Sequence, residues 1–200
     1  VAASLAPPLF VDLDGTLIDS APDLAGAANA MRVARGMPEV PYPHLRAMVG
    51  SGARGMIGAA FDVGPGDAGF DDLRNEFLDL YERMLLQRTS VFEAMHPVLD
   101  ALDAAALRWG IVTNKAERFA APVIGGLGLD RRAAAVVCGD TTPFSKPHPE
   151  PLLEAARRLD SDAGACVYVG DDLRDVQAGR SAGMATVAAA WGYLGAGEPI

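Results

Sequence analysis

The stretch Leu9-Phe10-Val11-Asp12-Leu13-Asp14-Gly15-Thr16 decides the fold. A short apolar run ends there at a carboxylate, and a glycine soon after it lets the backbone turn sharply. Four further apolar runs end at a polar or glycine-rich turn in the same way, at residues 109–112, 133–138, 166–169 and 185–190. Each run is predicted to be a fully buried strand. Because helical patterns lie between several of these runs, the sequence predicts an α/β fold with a parallel sheet covered on both faces.

Residues 18–91 interrupt this alternation. They contain helical patterns of apolar residues and no convincing strand. Segments 36–43 and 64–69 are rich in Gly and Pro and predict turns between these helices. The chain is therefore predicted to have a discontinuous α/β core, residues 1–17 and 92–200, with a small helical domain inserted at residues 18–91.

Composition excludes two classes of partner. The 200 residues are half apolar, which is enough to bury one full core. Acidic residues outnumber basic ones by 26 to 17, and no Lys/Arg cluster supplies the charge pattern of nucleic-acid binding. No apolar stretch is long enough to span a membrane, so membrane insertion is not expected either.

The N-terminus, the two cysteines and the chain ends give expectations about the compartment and the processing of the protein. The N-terminus lacks the pattern of a secretory signal, so we expect a cytoplasmic protein, either a monomer or a homodimer. Cys138 and Cys166 lie in apolar runs and are expected to be reduced core thiols. The sequence starts without Met and stops soon after the last predicted strand, so both ends are expected to be trimmed.

Polar residues follow three of the predicted strands. Ligands of parallel sheets bind beyond the carboxyl ends of the strands, so Asp12, Thr113 and Asp171 should meet in one crevice. Asp14 lies two residues after Asp12. In such a pair one carboxylate can attack a phosphate ester, while the other protonates the leaving oxygen and then activates water. The alternative is an acidic turn in which either carboxylate caps the backbone. The preceding apolar strand and the following Gly-Thr favour catalysis.

Two further motifs carry groups suited to phosphate. The hydroxyl of Thr113 and the amide of Asn114 could hydrogen-bond phosphate oxygens, although both residue types are also ordinary in turns. Lys146 lies just before a proline-stiffened helix start and can bind phosphate as a point charge. His148 in the same segment is expected to be packed or solvated rather than catalytic.

Three carboxylates, Asp171, Asp172 and Asp175, lie within five residues after the fourth strand. Two charges about 4 Å apart repel by about 1 kcal/mol in water and roughly 4 kcal/mol at a partly buried site. A Mg²⁺ ion would cancel the charges of Asp12 and Asp171 and let a phosphate dianion approach. The alternative for Asp172 and Asp175 is a helix start favoured by the helix dipole.

Other candidates are more isolated in the sequence. Arg54, in the glycine-rich segment Val49–Gly55, could reach over the crevice to a polar group of the substrate; the alternative is a loop with a solvated charge. Trp109 and Trp191 are expected to pack in the core.

With its four motifs in order, the sequence resembles the haloacid dehalogenase superfamily, and within it the phosphoglycolate phosphatase-like branch with a small helical C1-type cap. The motifs are Asp12-x-Asp14-Gly-Thr16, Thr113-Asn114, Lys146-Pro-x-Pro and Gly170-Asp171-x-x-x-Asp175. The resemblance spans almost the whole chain. It implies a Rossmann-like core, with the insertion at residues 18–91 as the cap.

The resemblance also implies a role for each motif residue. Asp12 would be the nucleophile, Asp14 the acid and base, and Asp171 would join Asp12 and the Asp14 carbonyl around Mg²⁺. Substrate-binding groups would be Thr113, Asn114, Lys146 and the residues next to the nucleophile, Leu13, Gly15 and Thr16. Asp175 would orient the motif lysine, and Asp172 would lie just outside the metal ligands. Dehalogenases of the superfamily lack a carboxylate at the position of Asp14, so dehalogenation is disfavoured.

The substrate implied is a small phosphorylated metabolite, with 2-phosphoglycolate first. The segments Leu107–Lys115 and Gly170–Asp175 also resemble N-acetylmuramic acid 6-phosphate phosphatases, and both substrates carry a carboxylate that Arg54 could meet. A phosphomutase and a non-enzymatic phosphate-binding module are the remaining alternatives.

Overall fold

A five-stranded parallel sheet forms the centre of the computed structural model, which describes residues 7–193. The strands of the described chain are, in chain order, β1 Leu9–Val11, β2 Ile18–Asp19, β3 Ser90–Val91, β4 Trp109–Val112, β5 Ala135–Val137, β6 Val167–Gly170 and β7 Ala185–Ala188. The order across the central sheet is β5-β4-β1-β6-β7, so the first strand lies in the middle. All five strands predicted from the apolar runs are present.

Eight α-helices connect these strands in the described residues. They are α1 Ala21–Ala34, α2 Tyr42–Met48, α3 Gly52–Phe61, α4 Phe70–Met84, α5 His96–Ala104, α6 Glu117–Gly126, α7 Glu150–Arg158 and α8 Leu173–Ser181. Four of them, α1, α2, α5 and α7, begin with a proline in the first turn. The missing N–H of proline costs nothing there, because the first N–H groups of a helix have no partner within it.

The register of the sheet brings the predicted site residues together. Val11 of β1 is paired with Ile111 of β4 on one side and with Val169 of β6 on the other. The Asp12 N–H continues this ladder by donating to the Val169 carbonyl at 2.8 Å. The residues that follow the three strands therefore leave the same edge of the sheet.

Both faces of the sheet are covered. Phe10, Val112 and Tyr168 pack on one face against α7 and α8 residues such as Leu152 and Ala178. The alternate residues of β1 and β4, including Val11, Ile111 and Trp109, pack on the other face with residues of α5 and α6. This alternation follows from the two-residue period of a strand and needs apolar residues at every position. The predicted α/β, Rossmann-like fold is confirmed.

Helices α1 to α4 pack on one another and share one apolar cluster, which includes Met31, Leu45, Met56, Phe77 and Tyr81. The prediction that residues 18–91 contain no strand is wrong, because the two-residue strands β2 and β3 pair antiparallel at the two ends of the segment. Strands this short carry no periodic pattern that the sequence could reveal. The boundaries of the core and of the helical domain stay predictions; we call helices α1 to α4 the cap below.

Three local predictions are also wrong. Strand β7 is largely exposed rather than buried, with Val187 at 50% exposure, because it lies at the edge of the sheet and is paired only with β6 in the described residues. Trp191 is 40% exposed, and its indole N–H donates to the Thr16 carbonyl at 3.0 Å instead of packing in the core. The segment Val49–Gly55 is not a loop, since a 3-10 turn at Val49–Ser51 leads directly into α3.

The structure also bears on the predictions made for membrane insertion, the cysteines, Trp109 and His148. In residues 7–193 no helix is both long and apolar enough to cross a bilayer. Cys138 and Cys166 are buried free thiols, and Trp109 is buried in the core as predicted. His148 is exposed and stacks on the ring of Phe144. The two chain ends that were expected to be trimmed lie outside the described residues.

Candidate active site

The carboxyl ends of β1, β4 and β6 open onto one cavity of about 430 Å³. Its charged wall comes from the strand ends, the loop before α7 and the start of α8, and its apolar wall comes mainly from residues between β2 and β3. The charged residues are Asp12, Asp14, Lys115, Lys146, Asp171, Asp172, Arg174 and Asp175, and the apolar ones include Leu24, Val49, Phe77, Leu78, Tyr81 and Phe119. Asp12, Thr113 and Asp171, which the sequence places at strand ends, all line this cavity.

Lys146 lies at the centre of the charged wall. Its Nζ is 2.7 Å from Asp12 Oδ1 and 2.7 Å from Asp175 Oδ1, and it also donates to the hydroxyl of Tyr168 at 2.7 Å. The side chain is only 3% exposed. Burial alone would lower the pKa of Lys146, but Asp12 and Asp175 outweigh it and raise the pKa. Lys146 is therefore a fixed positive charge beside Asp12.

The side chain of Asn114 holds the backbone that carries Lys146. Its Nδ2 donates to the Lys146 carbonyl at 2.9 Å, and its Oδ1 accepts from the Lys146 N–H at 2.9 Å. The predicted contact of Asn114 with phosphate would have to use the second N–H of the amide. The buried hydroxyl of Thr113 accepts from the Lys115 N–H at 3.1 Å, and its own proton can be donated toward the cavity.

Asp171 is held by two hydrogen bonds from residues that are distant in sequence. Thr16 Oγ1 donates to one carboxylate oxygen at 2.8 Å, and the Tyr193 N–H donates to the other at 2.7 Å. Gly15 has a φ of +89°, and a Cβ at this position would lie 2.3 Å from Asp171 Oδ2. Only glycine permits both this backbone conformation and so close an approach of the carboxylate.

The charges of the cavity fit a divalent cation. Oxygen atoms of Asp12, Asp171 and Asp175 all lie within 4.8 Å of one another. Among the charged residues that line the cavity in the described chain, five carboxylates face three cations, which leaves a net charge of −2. The Asp175 oxygens are already bonded to Lys146, to Tyr168 and to the Asp172 N–H, so Asp12 and Asp171 are the better ligands.

Burial raises the pKa of the Asp12 carboxyl, Lys146 opposes this effect, and the negative charges of Asp175 and Asp171 add to it. Burial likewise raises the pKa of Asp171, against the hydrogen bonds from Tyr193 and Thr16. Both carboxyls therefore gain from an additional positive charge between them, which a divalent cation supplies.

Asp14 lies beside Asp12 with a separate set of partners. Lys115 Nζ is 3.0 Å from one Asp14 oxygen and 3.3 Å from the other, and the Ser20 hydroxyl also donates to this carboxylate. Burial would lower the pKa of Lys115, but Asp14 and Tyr81 outweigh it and raise the pKa. Asp14 is 19% exposed and faces the cavity, as an acid and base requires.

The remaining predicted residues lie less directly on the cavity. The Leu13 side chain is buried in the core, and Thr16 turns its hydroxyl to Asp171. Arg54 of α3 is exposed to solvent. It is not among the residues of the described chain, 7–193, that line the cavity. Arg174 lines the cavity instead. It pairs with Asp172, the N-cap of α8, and donates to the Gly50 carbonyl in the 3-10 turn that precedes α3.

Sequence reasoning missed several residues that complete the site: Ser20, Lys115, Tyr168, Arg174 and Tyr193. A tyrosine within an otherwise apolar strand was a usable signal for Tyr168, since a buried tyrosine hydroxyl needs a partner. For Lys115, Arg174 and Tyr193 the sequence carried no comparable signal, because each meets a group from a distant part of the chain.

Residues 9–189 match the family model of haloacid dehalogenase-like hydrolases. The chain therefore belongs to this family, and the resemblance inferred from the four motifs is confirmed. Its relatives in this family are named as phosphatases, and the chain is a phosphoric monoester hydrolase.

Two relatives and one solved structure show how far the similarity extends. The chain is 43% identical over 186 residues to an N-acetylmuramic acid 6-phosphate phosphatase of Pseudomonas putida, covering 93% of this chain and 83% of the relative. It is 46% identical over 196 residues to a phosphoglycolate phosphatase of Xanthomonas campestris pv. campestris, covering 96% and 87%. The crystal structure of a predicted phosphoglycolate phosphatase from Haemophilus somnus superimposes with a TM-score of 0.82 at 26% identity, covering 96% and 88%.

Proposed function

We propose that this hydrolase transfers the phosphoryl group of its substrate to Asp12 and then to water. The observation that carries the proposal is the position of Lys146, whose ammonium joins the Asp12 carboxylate to Asp175 at 2.7 Å each, next to Asp171. A buried ammonium there favours the ionised, nucleophilic form of Asp12 and can also neutralise an incoming phosphoryl group.

Asp14 is the proposed acid and base. In the first step an Asp12 oxygen bonds to phosphorus while the ester P–O bond breaks, and the leaving oxygen takes a proton from Asp14. In the second step Asp14 accepts a proton from water, whose oxygen bonds to phosphorus while the bond between Asp12 and phosphate breaks. Thr113 and Lys146 hold the phosphoryl oxygens, and Asn114 supports Lys146 through its backbone.

The proposed cofactor is Mg²⁺, held by Asp12, Asp171 and, by the resemblance, the Asp14 carbonyl. When bound, it neutralises negative charge on the carboxylates and on the phosphoryl group. Support comes from the net charge of −2 on the cavity wall and from the oxygen-only donor set, which suits a hard cation.

The proposed substrate is a small phosphorylated carboxylic acid. The name of the Xanthomonas relative, with the higher identity of the two described above, supports 2-phosphoglycolate. N-acetylmuramic acid 6-phosphate is the second candidate, and the cavity favours it. A volume of about 430 Å³ lies in the range of sites for drug-sized ligands, far beyond the needs of a two-carbon acid. The rings of Phe77, Tyr81 and Phe119 offer a sugar ring an apolar wall.

The helical segment 18–91 acts as a cap over the core formed by residues 1–17 and 92–200. The protein works in the cytoplasm as a monomer or a homodimer.

A two-part experiment tests the chemistry and the substrate. Turnover of p-nitrophenyl phosphate with Mg²⁺ should vanish in EDTA and in Asp12→Asn, while Asp72→Asn, which changes an exposed carboxylate of α4, should keep it. Activity of Asp12→Asn at the wild-type level would overturn the proposal.

A comparison of 2-phosphoglycolate with N-acetylmuramic acid 6-phosphate then decides the substrate. A preference above a hundredfold in kcat/KM corresponds to roughly 2.7 kcal/mol of differential transition-state binding and identifies the better substrate. Comparable and low values for both would contradict the proposed class of phosphorylated carboxylic acids.

A further inference from the structure

The chain contains only two lysines among its 17 basic residues, Lys115 and Lys146. The structure places both at the cavity, and each forms a salt bridge with one carboxylate of the Asp12-x-Asp14 motif. Lys146 is part of the proposed phosphoryl site. Lys115 has no role in the chemistry described so far, although its side chain is only 9% exposed.

The contacts of Lys115 join two parts of the molecule. Its Nζ lies 3.0 and 3.3 Å from the two oxygens of Asp14, which the core supplies. The same Nζ lies 4.9 Å from the centre of the Tyr81 ring, which α4 of the cap supplies. A cation at this distance is attracted to the face of an aromatic ring, and the attraction grows when water is excluded. Lys115 therefore holds Asp14 and the cap at once.

Tyr81 is fixed in the cap by its own packing. Its ring stacks on Phe77 at 6.2 Å and meets the ring of Phe119 at 5.7 Å, and the residue is 2% exposed. Its buried hydroxyl has no hydrogen-bond partner among the described residues. The ring face thus supplies the contact with Lys115, and the aromatic contacts keep that face directed at the ammonium.

We propose that Lys115 is a positioning residue that orients the Asp14 carboxylate toward the leaving group and links it to the cap through Tyr81. The proposal rests on the proposed role of Asp14 as the acid. Lysine suits this position better than arginine, because a compact ammonium on a flexible stem fits between a carboxylate and a ring face. The Ser20 hydroxyl contacts only one oxygen of Asp14, whereas Lys115 contacts both, so Lys115 sets the orientation of the carboxyl plane.

The test uses two leaving groups and Lys115→Met, which keeps the apolar stem and removes the charge. A sugar or glycolate oxygen leaves poorly unless it is protonated, whereas p-nitrophenolate leaves without a proton. With the better of 2-phosphoglycolate and N-acetylmuramic acid 6-phosphate, kcat/KM should fall about a hundredfold, the lower end of what a positioned acid contributes. With p-nitrophenyl phosphate it should fall less than threefold.

Arg118→Met is the matched control. Arg118 also contacts the cap, through Asp79 and Glu82 of α4, and its guanidinium lies over Phe119. It is half exposed, and within residues 7–193 it forms no hydrogen bond or salt bridge with the Asp14 carboxylate. Its loss should leave the ratio of the two kcat/KM values unchanged. If Lys115→Met changes that ratio by less than tenfold, Lys115 does not position the acid and the proposal is overturned.

A double-mutant cycle tests the link to the cap. Tyr81→Leu keeps an apolar side chain but removes the ring face. Because Tyr81 also lines the cavity, this change should lower kcat/KM for the better alkyl phosphate in both backgrounds, but severalfold more in the wild type than in Lys115→Met. Independent, additive effects would disprove the link. If the wild type fails to hydrolyse p-nitrophenyl phosphate, the proposed function itself fails, which is a different result from an unchanged leaving-group ratio.

Discussion

The most informative perturbation of this site is Lys146→Met, because the ammonium of Lys146 separates carboxylates that otherwise repel. The oxygens of Asp12, Asp171 and Asp175 lie within 4.8 Å of one another, and Lys146 contacts two of these three residues. At this distance and an effective dielectric constant of about 20, two unit charges repel by about 3.5 kcal/mol. Without the lysine, the metal-free protein must accept this repulsion or bind a proton.

The expected result has two parts. In EDTA, the free energy of unfolding measured in urea should fall by about 3 to 5 kcal/mol, as for other buried ion pairs that lose one partner. With saturating Mg²⁺, kcat should fall by about 10² to 10³, as when a preorganised charge is removed from a developing anion. The two losses have separate causes, so they can be separated by a second substitution.

Adding Asp175→Asn to Lys146→Met removes one of the repelling charges and keeps an acceptor for the Asp172 N–H. Most of the lost stability should return, and the lost activity should not. If the double variant regains activity to within tenfold of the wild type, Lys146 only neutralises Asp175 and our account of the nucleophile is refuted.

Three other predictions concern single residues. Gly15→Ala places a Cβ 2.3 Å from Asp171 Oδ2 at a φ of +89°, so it should raise the Mg²⁺ concentration needed for half-maximal activity at least tenfold; an unchanged Mg²⁺ titration would contradict the role of Asp171. Tyr168→Phe removes the hydroxyl between Lys146 and Asp175 and should cost about 1 to 3 kcal/mol in urea unfolding, with no cost if the hydroxyl is dispensable. Burial raises the pKa of Cys138 from 9.0 to about 11, so the unfolded chain loses this proton at lower pH than the folded chain does, and stability should decline between these pH values. In Cys138→Ala, about 1 to 2 kcal/mol of that decline should be missing from urea unfolding curves measured at pH 8 and 11.

The strands were predictable because a strand buried on both faces needs an unbroken apolar run. The same reasoning failed for β7, since an edge strand of Ala, Thr and Val has the composition of a buried one. It failed for Trp191 because an indole also serves as a hydrogen-bond donor, here to the Thr16 carbonyl. The paired two-residue strands β2 and β3 were too short to leave a pattern.

The site was predictable where its residues follow strands. Asp12, Thr113 and Asp171 leave neighbouring strands at one edge of the sheet, so their meeting follows from topology alone. The partners of Asp14 could not be predicted. Lys115 lies 101 residues away, and the sequence does not show which carboxylate its ammonium contacts. The prediction that Arg54 contacts the substrate rested on its charge alone. Its exposed position on α3, and the position of Arg174 at the cavity, depend on how the cap packs.

The central claim is that Asp12 carries the phosphoryl group, and chemical trapping of the intermediate tests it most directly. The enzyme is quenched with acid during turnover of p-nitrophenyl phosphate with Mg²⁺, reduced with borohydride and digested for peptide mass spectrometry. We predict that Asp12 is converted to homoserine, while Asp14 is not, and that conversion disappears without substrate. Reduction at Asp14 instead, or an unmodified Asp12 in an enzyme that is turning over, would contradict the account.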